Sequence, residues 1–259
     1  MTRGQSKGSR WLAGGAEPRK AQLRLLCFPA AGSGASLYRS WAHFLPAAID
    51  VCPVLLPGRE AYLSEPAHRR LADLVGAMAD DLAELLTEPF AIFGHSYGAL
   101  AGFELARELR RIGGPQPALL FVSGKPAPML PPSWPSLHHA PDDELLQKLS
   151  QIDGTPLAVL NEPTWMKLML PTLRADLEAL ATYVYRPEQP LGCPISAFGG
   201  LSDGIATEPD LRAWREVTSG GFRLRMLPGG HFFLVSSREQ LLAAIDEDLA
   251  PFWEPGGRA

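Results

Sequence analysis

The sequence predicts an α/β fold, a mainly parallel central sheet flanked by helices with a helical insertion late in the chain. Three observations predict it. Apolar runs of strand length at 22–28, 50–55, 90–93 and 118–123 alternate with helical patterns, an order that implies a parallel sheet with right-handed crossovers. Roughly 70 residues then separate two strands that usually need about 30. Finally, Gly94-His95-Ser96-Tyr97-Gly98 stands between a strand pattern and a helix pattern, where a sharp turn lifts a serine hydroxyl to a helix N-terminus.

With 259 residues, 46% of them hydrophobic, the chain can bury one substantial core. A domain over 21–259 is expected, preceded by a disordered Gly, Ser, Arg and Lys-rich tail over 1–20. A formal net charge of -4 gives no electrostatic case for nucleic acid. Cys27, Cys52 and Cys193 are odd in number and set in apolar runs, so free thiols in a reducing compartment are expected, with no disulfide and no metal site. No stretch reaches membrane-span length and the N-terminus lacks a signal-like apolar region, so the expectation is a soluble cytoplasmic protein and, by default, a monomer.

Taken in order, the strand over 22–28 leads into Pro29-Ala30-Ala31-Gly32-Ser33-Gly34, small residues that let backbone N–H groups approach a ligand. A short helix is expected over 36–45 with Ser36 as N-cap. The strand over 50–55 ends in Pro57-Gly58-Arg59-Glu60. Apolar residues at Leu71, Leu74, Val75, Met78, Leu82, Leu85 and Leu86 predict a helix over 68–86 that starts at His68, Arg69 and Arg70. The elbow and its helix over 99–111 follow, then the strand over 118–123.

The insertion, about 126–186, opens on a proline-crowded stretch and carries helical patterns over 142–149 and 164–185, the second divided or kinked at Pro171. An insertion of this size suggests a lid over the carboxyl edge of the sheet, where sites form. A strand over 194–198, a helix over 208–217, a strand over 222–227 and a helix over 238–252 complete the chain.

A serine hydroxyl becomes a good nucleophile when an imidazole takes its proton and a carboxylate holds that imidazole. Ser96, Asp203 and His231 each follow a strand, so all three fall at one edge of a parallel sheet, in the chain order of an α/β-hydrolase. G-x-S-x-G also occurs at Gly4–Gly8 and Gly200–Gly204, but neither copy has the strand before and helix after. His95 is expected to support the elbow. His43, His138 and His139 lie elsewhere, and Asp210, at a helix start, is explained by capping.

These residues and further motifs match a family. Cys27-Phe-Pro-Ala-Ala-Gly32, Leu56-Pro-Gly-Arg59, Phe93 to Gly98, Ser123-Gly-Lys-Pro-Ala-Pro128, Gly154-Thr-Pro156, Leu170-Pro-Thr-Leu-Arg-Ala-Asp176, Gly199 to Asp203 and Leu227-Pro-Gly-Gly-His-Phe-Phe233 resemble the type II thioesterases of polyketide synthases and nonribosomal peptide synthetases. Lys125 stands where the family commonly has arginine, and Gly204 where proline is common.

The resemblance implies hydrolysis of acyl groups from the phosphopantetheine thiol of an acyl or peptidyl carrier protein, with no metal and no bound cofactor. It implies Ser96 as nucleophile, His231 as base, Asp203 as its carboxylate, and oxyanion amides from Tyr97 and Ala30, with Ala31 as the other candidate. Tyr97, Met166, Met169 and Leu170 are the expected acyl-pocket residues. Carrier proteins are usually acidic, so Arg59, Arg69, Arg70 and Lys125 are candidates for a basic docking rim, against a solvated surface as the plainer account. A small-molecule esterase or lipase on the same fold is the alternative activity. A non-catalytic binding module is the third reading, though no triad member is missing.

Overall fold

A computed structural model of the chain describes residues 10–13, 21–131, 137–152 and 162–253. The expectations for the rest of the tail and for Gly154-Thr155-Pro156 lie outside the described residues. Six strands form one sheet in the order β2-β1-β3-β4-β5-β6: β1 (Leu23–Phe28), β2 (Ile49–Pro53), β3 (Phe90–His95), β4 (Leu119–Ser123), β5 (Ile195–Gly200) and β6 (Phe222–Leu227). Every pairing among them is parallel. All carboxyl ends therefore share one edge.

Alternation along each strand divides the core. In β1, Leu26 and Phe28 join one apolar cluster with helices α1 (Leu71–Leu85) and α2 (Tyr97–Arg111). Leu23, Leu25 and Cys27 join the other, with Tyr38, Trp41 and Phe93 stacked edge to face. That face is closed by short helix α6 (Phe233–Ser236) and α7 (Arg238–Trp253). Helix α2 sits close to the sheet because Gly102 carries no side chain: a Cβ there would lie 2.6 Å from Cγ2 of Ile92. Among the described residues Cys27, Cys52 and Cys193 form no disulfide.

Several local expectations are corrected. Residues 36–45 form two 3-10 turns, Ala35–Tyr38 and Trp41–His43. Gly34, not Ser36, occupies the N-cap, and the Glu60 carboxylate accepts from the amides of Ala35 (2.8 Å) and Ser36 (2.9 Å). Helix α1 begins at Leu71, so His68 and Arg69 precede it and Arg70 is its extended N-cap. The helix expected over 208–217 is α5 (Glu208–Arg212) followed by a 3-10 turn. Asp210 caps it by accepting from the Thr207 amide and hydroxyl.

The tail joins the fold at residues 10–13, where disorder was expected. Trp11 and Leu12 are buried, Leu12 bridges Val54, and Trp11 donates its indole N–H to Asp81 at 3.0 Å. A tryptophan and a leucine in a polar stretch supply enough apolar surface to dock it.

The insertion carries α3 (Asp142–Leu149) and α4 (Pro163–Ala181). Helix α4 runs unbroken through Pro171, and both Pro171 and Lys167 face solvent. The hydrogen bond that proline removes is thus on the wet side, where water satisfies the freed carbonyl. Leu137, Leu145, Met166, Leu170 and Leu173 form a small core in the insertion, against which Ala31 of the loop after β1 packs. Its exit is tied to α2, where Arg107 donates to the carbonyl of Arg186 at 2.5 Å and the Tyr183 hydroxyl to Glu104 at 2.7 Å. No helix among the described residues is long and apolar enough to cross a membrane.

Candidate active site

Ser96 follows β3 directly, with φ 54° and ψ -114°. Only Ser96 and Glu60 among the described non-glycine residues have a positive φ. Such strain persists where surroundings enforce it. They do so here because flanking glycines permit backbone contact: a Cβ on Gly94 would lie 2.2 Å from the Gly98 carbonyl oxygen, and one on Gly98 2.2 Å from that of Phe28. The Ser96 amide donates to the Ser123 carbonyl at 2.7 Å, fixing the turn to the end of β4. The serine side chain is left at the N-terminus of α2.

Asp203 lies in the loop after β5 and His231 in the loop after β6. Both are buried, and Nδ1 of His231 donates to Oδ2 of Asp203 at 2.9 Å. The other carboxylate oxygen accepts from the Ile205 amide at 2.8 Å. This assigns the ring proton to Nδ1 and leaves Nε2 as the basic atom.

His95, fully buried, lies under this pair. Its ring is 5.0 Å from that of His231 and its Nδ1 is 2.9 Å from the Ser123 hydroxyl. Burial, and then the nearby His231, hold its pKa well below the usual histidine range, so it packs as a neutral ring. Gly124, with φ +59°, leaves the room: a Cβ there would be 2.7 Å from Cε1 of His95 and 3.3 Å from Cε1 of His231.

The loop after β1 faces the elbow. Among the described residues, no carbonyl or carboxylate accepts from the amides of Ala30, Ala31 or Tyr97. The Gly32 amide, by contrast, donates to Oδ2 of Asp176 at 2.8 Å. Both alanine amides thus stay available to a ligand, and Ala31 stands beside Ala30 as a donor. Tyr97 is buried, and burial followed by the Asp176 charge pushes its phenol pKa up.

The remaining candidates fall in different places. Arg59 is buried in a two-pronged pair with Asp176, both N–O distances 2.8 Å, and is no docking side chain. Arg69 is exposed and pairs with Glu178 at 2.6 Å, while Arg70 is exposed. Lys125 turns inward to a cavity of about 460 Å³ shared with Leu100, Met129, Leu180, Tyr183 and Tyr185. Burial lowers its pKa to about 8. Met166 and Leu170 are buried in the insertion's core, against which Ala31 packs, and Met169 is partly exposed; none of the three, nor Tyr97, lines the cavity beside Lys125. Among the described residues no cluster of His, Cys, Asp or Glu could hold a metal ion.

The family model of the thioesterase domain matches residues 23–249. The chain belongs to the thioesterase family. This thioesterase is 41% identical over 244 residues to the gramicidin S biosynthesis protein GrsT of Aneurinibacillus migulanus, covering 94% of this chain and 95% of that one. RedJ, the thioesterase of the prodiginine pathway in Streptomyces coelicolor, superimposes with a TM-score of 0.84 at 42% identity, over 88% of this chain and 86% of RedJ. The type II thioesterase BorB of the borrelidin cluster does so with a TM-score of 0.84 at 35% identity, over 92% and 97%. The sheet and flanking helices are those of the α/β-hydrolase fold, and the enzyme is a hydrolase of acyl thioesters.

Sequence reasoning missed Asp176 and Gly124 as neighbours of the candidate site. Asp176 and Gly124 stood inside motifs already singled out, but a motif gives no contact. Asp176 meets Gly32 across 144 positions of chain.

Proposed function

We propose that this thioesterase edits a polyketide or nonribosomal peptide assembly line, hydrolysing acyl groups from the phosphopantetheine thiol of an acyl or peptidyl carrier protein. Ser96 is the nucleophile, His231 the general base and Asp203 the carboxylate that orients it. The carrying observation is the strained Ser96 backbone at the end of β3, at the same sheet edge as the 2.9 Å His231–Asp203 contact.

The reaction has two halves. Ser96 attacks the thioester carbonyl as His231 Nε2 takes its proton, and the Ser96 oxygen to carbon bond forms. The oxyanion is held by the Tyr97 amide, at the positive end of α2, and by an amide of Ala30 or Ala31. Collapse breaks the carbon to sulfur bond, and His231 returns the proton to the leaving thiolate. Water then repeats the attack on the acyl-Ser96 ester. This chemistry needs no metal and no bound cofactor.

The insertion over 126–186 acts as a lid on this edge. Its tie to α2 through Arg107 and Tyr183 supplies a fixed exit point. The docking partner is a carrier protein, with exposed Arg69 and Arg70 as the basic contacts that remain. Acetyl, propionyl and hexanoyl groups loaded on a carrier protein should be released rapidly and Ser96-dependently, with matching free esters slow. Fast ester turnover with carrier-bound groups untouched would instead make the protein a small-molecule esterase.

A further inference from the structure

An oxyanion hole accelerates a reaction only if its donors are already in place when charge develops. The loop that carries Ala30 and Ala31 is poorly suited to hold itself, being Pro29-Ala-Ala-Gly-Ser-Gly34, with Gly32 at φ +70°. Its own contact is a single turn, from the Ser33 amide to the Ala30 carbonyl at 3.0 Å. Outside groups supply the rest. Asp176 Oδ2 accepts from the Gly32 amide at 2.8 Å, and Arg59 Nη1 donates to the Ser33 carbonyl at 3.0 Å.

Asp176 and Arg59 also fix each other. Nη1 of Arg59 reaches Oδ2 and Nη2 reaches Oδ1, both at 2.8 Å, while Nε donates to the Pro57 carbonyl at 3.3 Å. One turn back along α4, the Thr172 hydroxyl donates to the Gly58 carbonyl. Leu173 covers the loop from the same helix, its Cδ1 3.2 Å from where a Gly32 Cβ would be. Two segments distant in sequence, 57–59 and 172–176, thus converge on Gly32 and Ser33.

A buried ion pair is an expensive way to stabilise a fold, because two charges leave water and well-packed apolar residues often do as well. An apolar pair, however, cannot accept from the Gly32 amide. The pair's distinctive capacity is geometric.

We propose that Asp176 and Arg59 are positioning residues that hold the oxyanion loop in register, making the Thr172–Asp176 turn of α4 a part of the catalytic apparatus. It follows that this turn stays seated during turnover and that lid opening is confined to other parts of the insertion. The inference rests on the reading of Ser96 as nucleophile and of a loop alanine amide as oxyanion donor.

Two variants test it, D176N and the apolar double R59M/D176L, the second leaving no unpaired buried charge should the first fail to fold. Expected for each is a kcat on carrier-bound hexanoyl about 10- to 100-fold lower, approaching the loss of one oxyanion donor. KM should stay within about threefold and the pH profile of kcat/KM should not move, since neither residue touches His231 or Asp203. Affinity for a hexyl trifluoromethyl ketone, which forms a hemiketal oxyanion on serine, should fall by the same factor as kcat/KM. R59K, which keeps the Asp176 to Gly32 contact, should remain within about fivefold of wild type. A folded double variant with kcat and ketone affinity within about threefold of wild type would overturn the inference. So would a fall in kcat without a fall in ketone affinity. If S96A kept the activity of the unmodified enzyme, the site reading itself would fail, and that result is distinct from a Ser96-dependent enzyme indifferent to D176N.

Discussion

Asp203 holds His231 by one carboxylate oxygen, at 2.9 Å from Nδ1, and is itself held by the other, at 2.8 Å from the Ile205 amide. The imidazole is therefore fixed in one tautomer before substrate arrives. D203N can place an N–H opposite Nδ1 and so favour the wrong tautomer. Its kcat is expected to drop about 10⁴-fold with KM little changed. Steady-state kinetics on a carrier-bound acyl group check this; a loss under tenfold would mean another group orients His231.

A side chain at position 98 has nowhere to go. The Cβ of G98A would lie 2.2 Å from the Phe28 carbonyl oxygen, which also accepts from the Tyr38 hydroxyl at 2.6 Å. The backbone must shift at both the elbow and the end of β1. A stability loss of about 1–3 kcal/mol is expected, with kcat reduced at least about 100-fold because Ser96, the proposed nucleophile, and the loop proposed to hold the oxyanion move apart. Denaturation midpoints and active-site titration measure the two effects separately.

Lys125 gives a pH signature. Its folded pKa of about 8 lies below the free value of 10.5 because burial disfavours the ammonium. Between these values the unfolded chain binds the proton and the folded chain does not, so stability is lowest below pH 8 and recovers as pH rises towards 10.5. K125M removes the penalty. It is expected to raise stability at pH 7 by about 1–3 kcal/mol, an advantage that fades by about pH 10. Denaturant midpoints across that range test the sign; no gain at pH 7 would show that the ammonium is solvated.

At the other end of the chain, Trp11 is buried against the end of β2 and bonded to Asp81 of α1. W11A is expected to cost about 3 kcal/mol of stability, while kcat per folded molecule holds, since Trp11 touches no site residue. A thermal melt unchanged by W11A would show that the segment contributes nothing.

Much of the sheet, and the placement of Ser96, Asp203 and His231 along one edge of it, could be read in advance, because strand and helix periodicities are local and a parallel sheet brings every strand end to one edge. Ser96, Asp203 and His231 needed no more than that rule. What could not be read depends on contacts between distant residues. Arg59 looks like a surface charge until Asp176 is placed beside it, 117 positions away. Ser36 has the right chemistry for a cap, but Glu60 reaches the same amides from another loop. Pro171 breaks a helix by local rule, and only its outward-facing position explains why α4 continues.

The strand order leaves β2 and β6 as the margins of the sheet, and an open margin invites another molecule to add its own strand. Each is blunted differently. β2 ends in Pro53, which has no N–H to offer, and residues 11–13 lie alongside its end, with the Ala13 amide on the Pro53 carbonyl. β6 carries Arg223 and Arg225, both bound to Asp248 of the last helix. A concentrated solution of this thioesterase is thereby guarded against sheet-to-sheet aggregation at both ends, and losing the Trp11 segment would unguard one of them.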